Sequence, residues 1–120
     1  MKRILIIDDI EAHREVLWML FDDEGYLVLS KDDPRNLELV IEEFLPDLIV
    51  MDIMMGRFNG ADICQRIKNS PRYDGIKVLL MTASVVLDKL DLTSTLADAH
   101  IAKPFDINHM AEVVKQLMDT

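Results

Sequence analysis

The sequence has a single cysteine, a shortage of basic residues and no long hydrophobic run, and each shortage excludes a class of protein. With Cys64 alone, an internal disulfide framework is excluded and a reducing compartment is favoured. No apolar segment approaches the roughly 20 residues of a membrane-spanning helix, and no basic region precedes a long apolar run at the N-terminus. We therefore expect a soluble, cytoplasmic protein that does not act in a membrane.

The net charge and the chain length indicate which partners and how many domains to expect. Acidic residues outnumber lysine and arginine by 22 to 13, which gives a formal net charge of -9. Because this charge repels a phosphate backbone, direct binding of nucleic acid is not expected. The 120 residues, 50% of them hydrophobic, are enough for one buried core, and no linker, repeat or low-complexity segment divides them. We predict a single domain over residues 1–120.

Short apolar runs alternate with segments of helical periodicity along the whole chain. The predicted strands are residues 3–7, 26–30, 48–52, 78–81 and 100–102. This alternation is typical of a parallel sheet with helices on both of its faces.

The segments between the strands predict helices of unequal strength. The apolar faces of the first and last helices are expected to include Ala12, Val16, Leu17, Leu20 and Phe21, and Ile107, Met110, Ala111, Val114, Leu117 and Met118. The second helix is predicted to open at Asp33 and Pro34, since aspartate caps well and proline fits the first turn. Residues 54–59 are predicted to be a loop. After Ser84 the pattern of Leu87, Leu90 and Ala97 is ragged, and we expect the least stable helix there.

Polar side chains stand at the ends of four predicted strands. Asp8 and Asp9 follow the first, Asp52 ends the third, Thr82 follows the fourth and Lys103 follows the last. The carboxyl ends of parallel strands are where such sheets bind ligands. Several carboxylates suit Mg²⁺, and an aspartate can attack phosphorus as a nucleophile. Lys103 and Thr82 then supply an ammonium and a hydroxyl for the phosphoryl oxygens.

In their order and spacing these residues resemble the motifs of response-regulator receiver domains, the chemotaxis-regulator-like switches of two-component signalling. The resemblance rests on Asp8 and Asp9, on residues 51–55 with Gly60 beyond them, on residues 82–84 and on residues 103–105, and it covers the whole chain. It implies a flavodoxin-like α/β fold, in which a doubly wound, five-stranded parallel sheet of order 2-1-3-4-5 carries helices on both faces.

The resemblance also implies a role for each site residue. Asp52 would be the phosphoacceptor and would bind Mg²⁺ together with Asp9 and the backbone carbonyl of Met54. Asp8 would act mostly through metal-bound water. The bulky, apolar Met54 side chain would shield the acyl phosphate, so we expect slow self-hydrolysis.

The switch residues follow from the same resemblance. Lys103 would pair with the phosphoryl group, Thr82 would move to bond it, and Pro104 would follow a cis peptide bond. His100 stands at the switch position where the family usually has another aromatic residue, and Gly56 stands where proline is common.

The implied function is a signalling switch rather than an enzyme, although it assists its own phosphorylation and slow dephosphorylation. A histidine kinase or a histidine phosphotransfer protein would donate the phosphoryl group to Asp52. Output would pass through a downstream protein partner or through a C-terminal effector absent from this sequence. Two alternatives stay open: a Mg²⁺-dependent aspartyl-phosphate phosphatase of the haloacid-dehalogenase type, and a pseudo-receiver that binds partners without taking phosphate.

Simpler interpretations exist for single residues. Asp8 and Asp9 could cap the first helix, although capping needs only one of them. His13 and His109 fall on predicted helices with no partner indicated, and neither they nor His100 is assigned to a metal. Cys64 falls at a core position of the third helix, where a buried small apolar residue is expected.

Overall fold

The computed structural model describes residues 1–89 and 91–119, except for the side chain of Leu87. Five parallel strands form its main sheet: β1 (Arg3–Ile7), β2 (Leu27–Lys31), β3 (Leu48–Asp52), β4 (Lys77–Ala83) and β5 (Ala99–Lys103). Their spatial order is β2-β1-β3-β4-β5, which confirms the predicted order 2-1-3-4-5.

Helices cover both faces of this sheet, as predicted for a doubly wound α/β fold. They are α1 (Glu11–Asp23), α2 (Leu37–Phe44), α3 (Gly60–Lys68), α4 (Ser84–Leu87), α5 (Leu92–Thr95) and α6 (Ile107–Met118). The buried side chains of α1 and α6 share one hydrophobic core with the sheet, and those of α2 and α3 share the other. No helix among the described residues has the length and apolar character needed to cross a membrane.

The central strand β3 is buried along its whole length. Ile49 and Met51 point into the core beneath α2 and α3, while Leu48 and Val50 point into the core beneath α1 and α6. Each such side chain contributes roughly 1.5–3 kcal/mol by leaving water. Because β1 and β4 pair with it on either side, β3 delivers Asp52 to the carboxyl edge of the sheet on a rigid support.

The start of the second helix was predicted wrongly. α2 begins at Leu37, after Asn36 in a left-handed conformation, and not at Asp33 and Pro34. The Asp33 carboxylate instead accepts hydrogen bonds from the backbone N–H and the Nε of Arg35, both at 2.9 Å, and closes a local turn. These hydrogen bonds to Arg35 occupy the Asp33 carboxylate, so Asp33 does not cap α2.

Several helix residues predicted to face the core lie at the surface. Ala12 is exposed, and Val16 and Ile107 are 42% and 48% exposed. Leu17 and Phe21 of α1 are fully buried. Only a narrow stripe of α1 therefore reaches the sheet.

Residues 54–59, predicted to be a loop, include a small antiparallel hairpin of Met54–Met55 with Phe58–Asn59. Gly56 is the first of its two turn residues and has a φ of +58°. Proline could not replace Gly56 there, because its ring holds φ near about -65°. The glycine at this position thus suits a two-residue hairpin turn.

The segment after Ser84 forms two short helices, α4 and α5, and not one. Asp91 caps α5 by accepting a hydrogen bond from the backbone N–H of Thr93 at 3.2 Å. Leu90, one of the residues on which the single helix was predicted, lies outside the described residues. The cap explains where α5 begins.

Cys64 is expected to resist alkylation in the folded protein. Its side chain is fully buried, and burial raises the pKa of the thiol to about 11. At pH 8 the thiolate required for reaction is therefore scarce and shielded. Mass spectrometry after iodoacetamide treatment should show slow labelling of native protein and rapid labelling in urea. Equal rates in the two conditions would contradict the burial.

Candidate functional site

Three aspartates meet at the carboxyl edge of the sheet. Asp8 follows β1 and Asp52 ends the neighbouring strand β3, and both are buried, whereas Asp9 is exposed. Each offers a carboxylate oxygen, and these oxygens all lie within 4.8 Å of one another. Oxygen donors in this arrangement suit a hard divalent cation. The structure thus brings together the three acids that the strand ends indicated.

Lys103, at the end of β5, reaches the same place. Its Nζ lies 2.7 Å from Asp8 Oδ2 and 2.9 Å from Asp52 Oδ2. The peptide bond from Lys103 to Pro104 is cis, as the resemblance implied. One ammonium therefore pairs with two buried carboxylates and offsets part of their charge, and loss of one partner of a buried ion pair typically costs about 3–5 kcal/mol.

In both buried carboxylates, one oxygen accepts a hydrogen bond from a backbone N–H and the other contacts Lys103. Asp8 Oδ1 accepts the backbone N–H of Ile10 at 2.9 Å, and Asp52 Oδ1 accepts that of Met54 at 3.2 Å. In each case the other oxygen faces Lys103. Asp8 therefore shapes the turn into α1 and belongs to the charged cluster at the same time. Across the described parts of the chain, the Asp9 carboxylate has no hydrogen bond or ion pair, which leaves it available to a ligand.

Thr82 and His100, the predicted switch residues, lie on β4 and β5. Thr82 is buried and stands opposite Ala102 in the strand register. His100 Nε2 lies 2.8 Å from the Oγ1 of Thr95 in α5. Since the Thr95 hydroxyl donates to the carbonyl of Leu92, its oxygen accepts, and the proton belongs to His100 Nε2. The structure thus connects His100 with α5 and not with the carboxylates.

Burial lowers the pKa of His100. The imidazole is therefore mainly neutral at pH 7, since its ordinary pKa is already near about 6.5. A neutral ring at this position can pack against its surroundings as the family's other aromatic residues would, while still donating one hydrogen bond.

His13 belongs to the cluster, although the sequence indicated no partner for it. Its Nδ1 lies 2.8 Å from Lys103 Nζ and 3.5 Å from Asp8 Oδ2. The position of His13 in the sequence could have indicated this contact. Position 13 lies on the first turn of α1, where side chains tilt back toward the helix N-terminus and hence toward Asp8 and Asp9. Arg14 was missed as well, and its Nη1 donates to the Asp8 carbonyl at 2.7 Å.

Gly60 lets the start of α3 pass close to the backbone of Asp52. A Cβ at this position would lie 2.3 Å from the Asp52 carbonyl oxygen. The Gly60 N–H also donates to the carbonyl of Ile53 at 2.7 Å. The absence of a side chain is therefore what allows the helix to approach the end of β3.

Gly60→Ala is expected to destabilise the fold by about 1–3 kcal/mol, because the added methyl group meets backbone atoms that cannot turn aside. Gly75→Ala is the matched control, since a Cβ there meets nothing within 4 Å. Urea unfolding of the two variants measures the difference. Equal stabilities of the two variants would show that the Asp52 backbone can shift to make room for the methyl group.

The chain is similar to known proteins over most of its length. A family model described as the response regulator receiver domain matches residues 4–115. The sporulation initiation phosphotransferase F of Bacillus subtilis is 34% identical over 119 residues, which are 98% of this chain and 94% of that protein. The DNA-binding dual master transcriptional regulator RpaA of Synechocystis is also 34% identical over 119 residues, but the match covers only 49% of it. The chain therefore spans about half the length of some curated relatives.

A solved structure shares the architecture. The response regulator TrrA of Thermotoga maritima, crystallised in complex with Mg²⁺ and BeF, superposes with a TM-score of 0.84 at 30% identity. The match covers 98% of this chain and 99% of that one. The likeness therefore extends over nearly the whole of both chains.

Proposed function

The chain belongs to the response regulator receiver domain family, and on that basis we propose that Asp52 accepts a phosphoryl group from a phosphohistidine. The donor is a histidine kinase or a histidine phosphotransfer protein. The single observation that carries the proposal is the position of Lys103 Nζ between Asp8 and Asp52. A carboxylate held beside a fixed cation at the open edge of the sheet is suited to receive an anionic group.

The acidic cluster supports Mg²⁺ as the cofactor. The carboxylates of Asp8, Asp9 and Asp52 supply hard oxygen donors at mutual distances within 4.8 Å, and the backbone carbonyl of Met54 would complete the protein ligands. When bound, the cation supplies positive charge next to the phosphoryl oxygens. Asp9, which is exposed, is the acid best placed to meet an ion arriving from solvent.

In the transfer, an oxygen of Asp52 attacks the phosphorus of the donor. The P–N bond breaks, its electron pair stays on the donor imidazole, and a P–O bond to Asp52 forms. Lys103 pairs with a phosphoryl oxygen, and the Thr82 hydroxyl donates a hydrogen bond to another. These residues position the phosphoryl group and neutralise its charge, which is the main requirement of phosphoryl transfer.

The signal would leave through the face formed by α4, α5, β5 and α6. The link from His100 to Thr95 joins β5 to α5, and α5 is a helix of only four residues. Such a short helix has little stability of its own, so a small change at Thr82 could shift its position. The readout would be a downstream protein partner or an effector domain.

Acetyl phosphate with Mg²⁺ is expected to label Asp52. Mass spectrometry should find one phosphoryl group on the peptide that contains it, and EDTA should abolish the labelling. Asp52→Asn should remove it as well. Asp47→Asn is the control, since Asp47 precedes the same strand at its other end and bonds the backbone N–H of Arg3 at 2.8 Å.

The other outcomes separate the alternatives. Steady release of phosphate from p-nitrophenyl phosphate, dependent on Asp52, would indicate a phosphatase. Absence of any label, with the fold intact by circular dichroism, would indicate a pseudo-receiver. Label that persists in Asp52→Asn at the same peptide would overturn the assignment of the acceptor.

The phosphorylated form is expected to be long-lived because Met54, two residues from the acceptor, adds apolar cover. Its side chain is 61% exposed, so it can be truncated without opening the core. Met54→Ala should speed the loss of the phosphoryl group by about threefold to tenfold, equivalent to about 1 kcal/mol of barrier. Met19→Ala, on the exposed side of α1, should leave the rate unchanged. A wild-type lifetime of only seconds would contradict this expectation.

A further inference from the structure

We propose that His13 is a positioning residue for Lys103. Its imidazole holds the ammonium at the point where it can meet an incoming phosphoryl oxygen. The inference rests on the proposed phosphoacceptor function and deepens it. It assigns a role to a side chain of α1, whereas the other groups invoked in the transfer lie at strand ends.

Three acceptors surround the Lys103 ammonium. Lys103 Nζ lies 2.7 Å from Asp8 Oδ2, 2.8 Å from His13 Nδ1 and 2.9 Å from Asp52 Oδ2. A lysine ammonium has three N–H donors and no acceptor, so each proton has its own partner. Lysine has a long flexible stem, and three fixed acceptors define the direction of its charged end better than two.

The hydrogen bond between Lys103 and His13 has a defined direction. Because the ammonium can only donate, Nδ1 accepts in this contact, which corresponds to the tautomer that carries its proton on Nε2. The separation of Nδ1 from Asp8 Oδ2 is 3.5 Å, longer than an ordinary hydrogen bond of about 2.7–3.2 Å. His13 therefore acts on the lysine and is not an ordinary ion-pair partner of Asp8.

The backbone that carries His13 is anchored to the end of β1. It lies on the first turn of α1, and the next residue, Arg14, ties that turn to the Asp8 carbonyl at 2.7 Å. The side chain of His13 is 38% exposed, against 13% for that of Lys103. The imidazole thus forms the outer rim of the cluster, on a helix anchored to the end of β1.

This arrangement matters at the moment of transfer. When Asp52 gains the phosphoryl group, one N–H of Lys103 exchanges its hydrogen bond to an Asp52 oxygen for one to a phosphoryl oxygen. The other two N–H groups keep their hydrogen bonds to Asp8 and His13, so the ammonium does not need to find a new position. Preorganised charge of this kind favours the transition state, because no reorganisation is needed during the reaction. Without His13, the third proton would bond to water and Lys103 would adopt more rotamers.

The test compares substitutions that keep or remove the acceptor. His13→Asn places an amide oxygen near the position of Nδ1, while His13→Leu keeps a similar volume without an acceptor. His109→Leu, at an exposed site on α6, is the control. We expect labelling of Asp52 by acetyl phosphate to slow about threefold to tenfold in His13→Leu and to return to within about twofold of wild type in His13→Asn.

A second measurement examines the contact without phosphorylation. ¹⁵N NMR of the His13 ring should show the proton on Nε2, and Lys103→Met should shift the Nδ1 resonance. An unchanged resonance would overturn the inference, as would wild-type labelling in His13→Leu or equal slowing in His13→Leu and His13→Asn. If wild-type protein took no label at all, the phosphoacceptor proposal would fail by itself, and the NMR result would still decide the contact between His13 and Lys103.

Discussion

Two buried carboxylates with one ammonium between them set the conditions for the rest of the structure. Asp8 and Asp52 lie at the ends of neighbouring strands with almost no solvent contact, so their charges repel each other and lack water to stabilise them. Lys103 supplies the compensating charge from β5. Because β4 lies between β3 and β5, this contact spans the strand that separates them, and the charge cluster forms only when the sheet is complete.

The surroundings of the cluster follow from the need to hold it in place. Strand β3 is buried on both faces and cannot shift without disturbing two cores. Gly60 allows α3 to start against the Asp52 backbone. On the side where we propose the output, α5 has only four residues and is joined to α3 by a bond from the Gln65 side chain to the Ser94 carbonyl and to β5 by the link from His100 to Thr95. A rigid site beside a short helix is a physical arrangement suited to a switch.

Much of this architecture was predictable, and the errors have identifiable causes. The strands at residues 3–7 and 48–52 were predicted to the residue, because continuous apolar runs in a parallel sheet end sharply at polar side chains. The hairpin within residues 54–59 was missed since strands of two residues have no periodicity to detect. The start of α2 was misplaced because Asp33 has the features of a cap, and its bond to Arg35 depends on side-chain geometry.

From the sequence alone came the α/β class, the strand ends and the residue types there, because apolar periodicity reports which residues must leave water. The resemblance in its motifs added the strand order. The tertiary structure alone decided that the Lys103 ammonium is shared by Asp8, Asp52 and His13, and that His100 bonds Thr95. These contacts join segments far apart in the chain. They depend on the rotation of a helix about its axis and on side-chain rotamers, which the order of residues along the chain does not specify by itself.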